Sequence, residues 1–146
     1  MVRFADGLNK YKILFEKIAK ENNLIWDYCF KSNVGRYLDS DKKILTSKPI
    51  NAERLQVGLH EIGHKLFRNI KPSYLQEYLC EMFSFEIMRN NNIPIKKKVK
   101  DRSKKYIAIK TQMAINRGLK KIDSKVKNYI KKDYSNTAQL KSGFIK

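Results

Sequence analysis

The chain has 146 residues, of which 42% are hydrophobic and 32% are charged. This length and composition fit one globular domain with an appended segment, and they fit a globular protein better than a disordered one. Its two cysteines exclude a disulfide framework, and no apolar run is long enough for a signal peptide or a membrane span, so we expect a cytoplasmic protein without membrane contact. The net charge of +18 favours an anionic partner, although lysines spread over every solvated surface would give the same value.

The first half of the chain predicts one helix followed by a small sheet. Apolar residues recur at three- and four-residue spacing between Leu8 and Ile18, which predicts an amphipathic helix over residues 7–22. Segments rich in branched and aromatic residues then predict three strands at residues 24–30, 34–38 and 44–46. The Asp39-Ser40-Asp41 segment is typical of a turn, so we expect a small antiparallel sheet with a hairpin.

The second half predicts helices. Asn51 can cap a helix over residues 52–67, and Ser73 can cap another that ends near residue 89. The residues that the first of these helices is expected to bury are Leu55, Leu59, Ile62 and Leu66. A third helical stripe ends at Gly118, and Asp123 or Ser124 can cap a short helix after it. Together with the strands, these helices predict an α+β fold.

The composition changes at residue 96. Residues 96–132 contain 15 Lys and Arg against two Asp, a local net charge of about +13. We therefore predict a domain over residues 1–95, a basic helical extension packed on it over 96–134, and a loosely ordered tail over 135–146. The basic side chains expected to contact nucleic acid are Lys96, Lys97, Lys98, Lys100, Arg102, Lys104 and Lys105.

The segment His60-Glu61-Ile62-Gly63-His64 contains both histidines of the chain. The two imidazoles lie one helical turn apart and can share one Zn²⁺ ion, while Glu61 borders the same cleft and can act as a general base. The alternative is a surface helix that has the same sequence pattern and binds no metal. The buried helix and its two glycines favour the metal site, because Gly58 and Gly63 predict that another element approaches the backbone closely.

The third zinc ligand is predicted from the pairing of the two helices. If they pack antiparallel about a turn near residue 70, His64 lies opposite Glu77 and His60 opposite Glu81. We predict that Glu77 is the ligand and that Glu81 orients an imidazole, with the reverse assignment as the alternative. Cys80 is expected in the core, with a soft metal ligand as its alternative role. Four tyrosines are candidate oxyanion donors: Tyr37, Tyr74, Tyr78 and Tyr106.

These two helices resemble those of the ImmA/IrrE-type zinc peptidases of phages and mobile elements. That family pairs an HExGH helix with a second helix of the form Glu-x-x-(Ala/Cys)-(Asn/Glu)-x-aromatic-small, and here the second helix carries Glu77-Tyr78-Leu79-Cys80-Glu81-Met82-Phe83-Ser84. The resemblance covers residues 33–90 and includes the hairpin before the helix that carries the two histidines. It implies a zincin-like fold, a zinc cofactor with Glu77 as the glutamate ligand, and cytoplasmic regulatory proteolysis.

Two functions follow as expectations. The first is a zinc-dependent intracellular peptidase (an HExxH metallopeptidase) that hydrolyses a peptide bond of a regulatory protein through an activated water, with a DNA-bound regulator as one possible substrate. The alternative is a basic nucleic-acid-binding protein that has a zincin fold and no proteolytic activity. The basic extension favours the alternative, whereas Glu61 favours the peptidase, because a structural zinc site needs no general base.

Overall fold

The computed structural model describes residues 9–130, which form five helices and three strands in an α+β arrangement. Predictions for the end of the basic extension after residue 130, for the tail over 135–146 and for the first helix at residues 7 and 8 lie outside this range. The described chain divides into two compact units, one of residues 9–68 and 80–95 and one of residues 69–79 and 96–130. None of the described helices is long and apolar enough to cross a membrane.

Helices α1 (Lys10–Glu21) and α2 (Ala52–Leu66) both begin after an asparagine cap. The side chain of Asn51 accepts a hydrogen bond from the backbone N–H of Arg54 at 2.9 Å, so the predicted cap is confirmed. The prediction for Leu66 is wrong. Its side chain is 44% exposed, because Leu66 is the last residue of α2 and lies beyond the buried part of the helix.

The sheet contains β1 (Ile25–Phe30), β2 (Gly35–Leu38) and β3 (Lys43–Ser47). The predicted hairpin is present, because β2 pairs antiparallel with β3. The prediction of an antiparallel sheet is wrong, since β1 pairs parallel with β3 and the sheet is mixed, in the order β1-β3-β2. The segment between β1 and β2 crosses from one sheet edge to the other, which leaves β3, with Ile44 and Thr46 fully buried, as the central strand.

The core of the first unit lies where α2 packs on α1 and on the sheet strands β2 and β3. Its fully buried side chains include Phe15, Ile44, Leu55, Leu59 and Ile62. At Gly58 an added Cβ atom would lie 2.9 Å from two carbons of the Phe15 ring. The glycine therefore lets α1 approach the backbone of α2 closely, as the sequence predicted for this position.

The second unit contains the start of α3 (Ser73–Asn90), which passes into the first unit at Cys80, together with α4 (Lys97–Asn116) and α5 (Ser124–Ile130). Its core consists of Tyr74, Ile107 and Val126, with partly buried apolar side chains around them. The hydroxyl of Tyr74 accepts a hydrogen bond from the backbone N–H of Asp123 at 2.8 Å, just before α5 begins. The basic segment therefore folds around an apolar core of its own.

Candidate metal centre

The two histidines project from one side of α2. Their ring centroids lie 4.9 Å apart, with the ring planes inclined by 75°. His60 is buried, with 7% of its surface exposed, whereas His64 is half-buried. Two imidazoles one helical turn apart therefore converge, one within the core of the first unit and one closer to solvent.

A carboxylate from α3 holds the inner imidazole. Glu81 Oε2 lies 2.5 Å from His60 Nδ1, so the two residues that antiparallel helices would place opposite each other are in contact. This hydrogen bond leaves Nε2 as the nitrogen of His60 that can bind a metal. A carboxylate bonded to the remote nitrogen of a metal-binding imidazole fixes the orientation of the ring and raises its basicity.

The residue that holds Glu81 was not predicted from the sequence. Gln56 is buried, and its Nε2 donates hydrogen bonds to Glu81 Oε2 at 2.8 Å and to Ser84 Oγ at 2.9 Å. The hydroxyl of Ser84 in turn donates to the backbone carbonyl of Glu81 at 2.7 Å. Gln56 lies one helical turn before His60, and a polar residue at that spacing from a candidate ligand is the signal that could have identified it.

His60, His64 and Cys80 together could hold a metal ion. Their potential ligand atoms all lie within 4.8 Å of one another, and Cys80 is fully buried. Ligand atoms around a tetrahedral Zn²⁺ ion lie about 3.3–3.7 Å apart, so modest side-chain rotations would bring these three onto one ion. Two imidazoles and a thiol are a donor set that zinc accepts, and the residues therefore fit a metal ion.

Glu61 lies beside the first residue of β2. It is buried at 9% exposure, and an added Cβ atom on Gly35 would lie 2.7 Å from its Cγ and 3.3 Å from its Cδ. Any side chain larger than glycine at position 35 would therefore displace the carboxyl group. The strand backbone and Glu61 pack together because Gly35 contributes no side chain.

Three other predicted site residues form hydrogen bonds within their own units. Within the second unit, the hydroxyl of Tyr106 donates to Glu77 Oε1 at 3.0 Å. Within the first unit, the hydroxyl of Tyr37 donates to Asp39 at 2.8 Å, and burial together with this bond raises the pKa of Tyr37 to about 12. The ligand role of Glu77 stays a prediction, and so does the choice among the tyrosines.

The basic residues predicted to contact nucleic acid lie at the start of α4 and just before it. Of the seven, Lys104 is half-buried and the others are exposed: Lys96, Lys97, Lys98, Lys100, Arg102 and Lys105. Lys97 also forms an ion pair with Asp101 at 2.7 Å. This part of the second unit therefore presents cationic side chains to solvent.

The contact between Glu81 and His60 predicts the behaviour of one variant. We expect Glu81→Gln to weaken zinc binding about 10- to 100-fold without abolishing it, because the amide still accepts a hydrogen bond but no longer raises the basicity of the imidazole. Titration with a competing chromophoric chelator measures the change. Glu86→Gln is the matched control, since Glu86 lies on the same helix and is exposed. Equal zinc affinity in both variants would show that Glu81 does not contribute to zinc binding.

Comparison of the chain with family models, with curated proteins and with solved structures found no match. The likeness to the ImmA/IrrE-type peptidases consequently depends on the motif residues alone.

Proposed function

We propose that the chain is a zinc-dependent peptidase that hydrolyses a peptide bond of an intracellular regulatory protein. The observation that carries this proposal is the convergence of His60 and His64, the inner one oriented by Glu81, with the buried Glu61 on the same helix. A structural metal site would need only its metal ligands and no general base. A buried carboxylate that follows the first histidine on the same helix is a candidate for the general base that a hydrolase needs.

In this proposal His60, His64 and a third donor from α3 would hold the metal ion. When bound, the ion supplies a Lewis acid that polarises the scissile carbonyl and makes water more acidic. Glu61 accepts the proton of the attacking water at its carboxylate and then delivers it to the leaving amine. The hydrogen bond from His60 Nδ1 to Glu81 keeps the ring in place during these steps.

The position of β2 supports a peptide as the substrate. In the order β1-β3-β2, the outer edge of β2 has no strand partner among residues 9–130. Extended peptides add to such edges through backbone hydrogen bonds. A peptide added there would pass the backbone of Gly35, against which Glu61 packs. The resemblance to regulatory peptidases of phages and mobile elements further supports a protein substrate.

Digestion of a proteome-derived peptide library, read by mass spectrometry, tests the proposal without knowledge of the substrate. Zinc-loaded protein should generate new termini within a consistent sequence context. Protein stripped with a chelator should generate none, and restored zinc should return the same cleavages. Cleavage that persists at full rate after zinc has been removed would reject a metal-dependent peptidase.

A second function, nucleic-acid binding, is favoured by the exposed cationic side chains at the start of α4. Binding by phosphate neutralisation releases counterions, so affinity should fall steeply with salt. We expect the triple substitution of Lys96, Lys97 and Lys98 by Glu to weaken binding to all duplex sequences alike. In a plot of the logarithm of the binding constant against the logarithm of salt concentration, the slope should become shallower by roughly 0.9 for each phosphate contact removed.

A control with the same change of charge separates a local binding surface from the general effect of charge. Glutamate at Lys10, Lys17 and Lys20, which are exposed on α1, alters the net charge equally. Gel-shift titrations at low and at physiological salt compare the two triple variants. Equal weakening in both would show that only net charge matters, and no binding by the wild type even at low salt would reject this function.

A further inference from the structure

We infer that the thiolate of Cys80 is the third ligand of the metal ion, which would make the centre a two-histidine, one-cysteine site. This inference rests on the proposed metal centre and specifies its chemistry. Cys80 contributes its Sγ atom from α3. This atom and the potential ligand nitrogens of His60 and His64 all lie within 4.8 Å of one another. The cysteine is fully buried, so its sulfur faces the interior of the first unit.

A glycine on α2 lets the sulfur reach this position. An added Cβ atom on Gly63 would lie 3.0 Å from Cys80 Cα and 3.1 Å from Cys80 Sγ. The backbones of α2 and α3 therefore approach closely at Gly63, the residue before His64. Gly63 is a poor helix former in the last turn of α2, and this close approach explains why the helix carries it there.

Two carboxylates of α3 form hydrogen bonds of their own. Glu81 Oε2 is hydrogen-bonded to both His60 Nδ1 and Gln56 Nε2 at 2.5 and 2.8 Å, which is an orienting rather than a ligating arrangement. Glu77 accepts a hydrogen bond from Tyr106 at 3.0 Å within the second unit. Within the first unit, the thiol of Cys80 is grouped with both imidazoles, whereas Glu81 contacts the remote nitrogen of His60.

The chemistry of the donor set agrees with a catalytic centre. Zinc sites that work on a substrate have three protein ligands and one open position, and cysteine and histidine occur together in such sites. The thiol loses its proton when it coordinates the ion. A buried cysteine is also an ordinary core residue, so the test must distinguish a sulfur that binds metal from one that only fills space.

Cobalt(II) provides the test, because thiolate coordination to it produces a charge-transfer absorption in the near ultraviolet that oxygen and nitrogen ligands do not give. The zinc-stripped full chain is titrated with Co²⁺, and the same titration is carried out on Cys29→Ser and Cys80→Ser. Cys29 is the matched control, since it is exposed and is the other of the two cysteines of the chain.

We expect the charge-transfer band in the wild type and in Cys29→Ser, and its loss in Cys80→Ser. The band in Cys29→Ser is decisive even if Cys80→Ser does not fold, because Cys80 is then the one remaining source of sulfur from a cysteine. Bound cobalt with visible ligand-field bands but no charge-transfer band would reject Cys80 and leave the metal centre intact. A band lost in Cys29→Ser would also reject it. Failure to bind cobalt at all would reject the metal centre and this inference together.

Discussion

Glu61→Gln should retain its zinc and lose hydrolysis by about 10²- to 10⁴-fold, the contribution that a positioned general base makes. The amide has almost the shape of the carboxylate, so it should fit against Gly35 as Glu61 does, but it cannot accept the proton of the attacking water. The peptide-library digestion gives the rate, and metal analysis of the same sample gives the zinc content.

Glu53→Gln is the matched control for this variant. Glu53 lies in the first turn of the same helix, two turns away from the donors, and the substitution changes the charge equally. Its hydrolysis should equal that of the wild type. If Glu61→Gln cleaved the library at the wild-type rate with its zinc in place, Glu61 would not be the base, and the proposed mechanism would fail.

The double variant His60→Ala, His64→Ala should lose the stabilisation that zinc gives to the wild type. An ion that binds the folded chain and not the unfolded chain raises the free energy of unfolding by about 4 kcal/mol when its free concentration is a thousandfold its Kd. Denaturant unfolding with and without Zn²⁺ measures this gain. The wild type should show it and the double variant should not, because the two imidazoles supply the converging nitrogens.

Magnesium is the control for this measurement. Mg²⁺ prefers oxygen ligands and retains its water, so the same concentration should leave wild-type unfolding unchanged. A zinc-induced gain of equal size in the double variant would place the binding site elsewhere on the chain. Equal gains from Mg²⁺ and Zn²⁺ in the wild type would indicate a nonspecific effect of divalent cations.

Local chemistry explains why the helices were predictable from the sequence. Asn51 caps α2 because its side chain accepts a backbone hydrogen bond three residues on, and this depends on neighbours in the sequence alone. Gly118 has a φ of 109°, a conformation that other residues rarely adopt, and α4 ends two residues before it. The three- and four-residue apolar spacing then shows which side of each helix is buried.

Pairing between distant segments explains what the sequence could not show. The strand pattern of residues 25–30 is the same whether β1 joins the hairpin beside β2 or beside β3, and the edge it occupies depends on packing between distant segments, such as that of β1 on α1. For the same reason, Gly35 gave no sign that it lies against Glu61. Two segments that approach each other so closely are recognised only in three dimensions.

The candidate site was predictable where its spacing is helical. His60 and His64 are four residues apart, and the contact between His60 and Glu81 follows from an antiparallel turn between their helices. The position of Cys80 was less predictable. The sequence around a cysteine looks the same whether its side chain fills the core or binds a metal. Only the distance from Cys80 to the two imidazoles indicates a role as a metal ligand.

The zinc content of the wild-type chain tests the central claim most directly. The protein is purified without added metal, and its zinc is measured by elemental analysis beside the His60→Ala, His64→Ala variant prepared in the same way. The convergence of the two imidazoles with a third donor predicts one zinc atom per wild-type chain and none in the variant. A wild-type chain with no more zinc than the variant would contradict the metal centre and the peptidase function that depends on it.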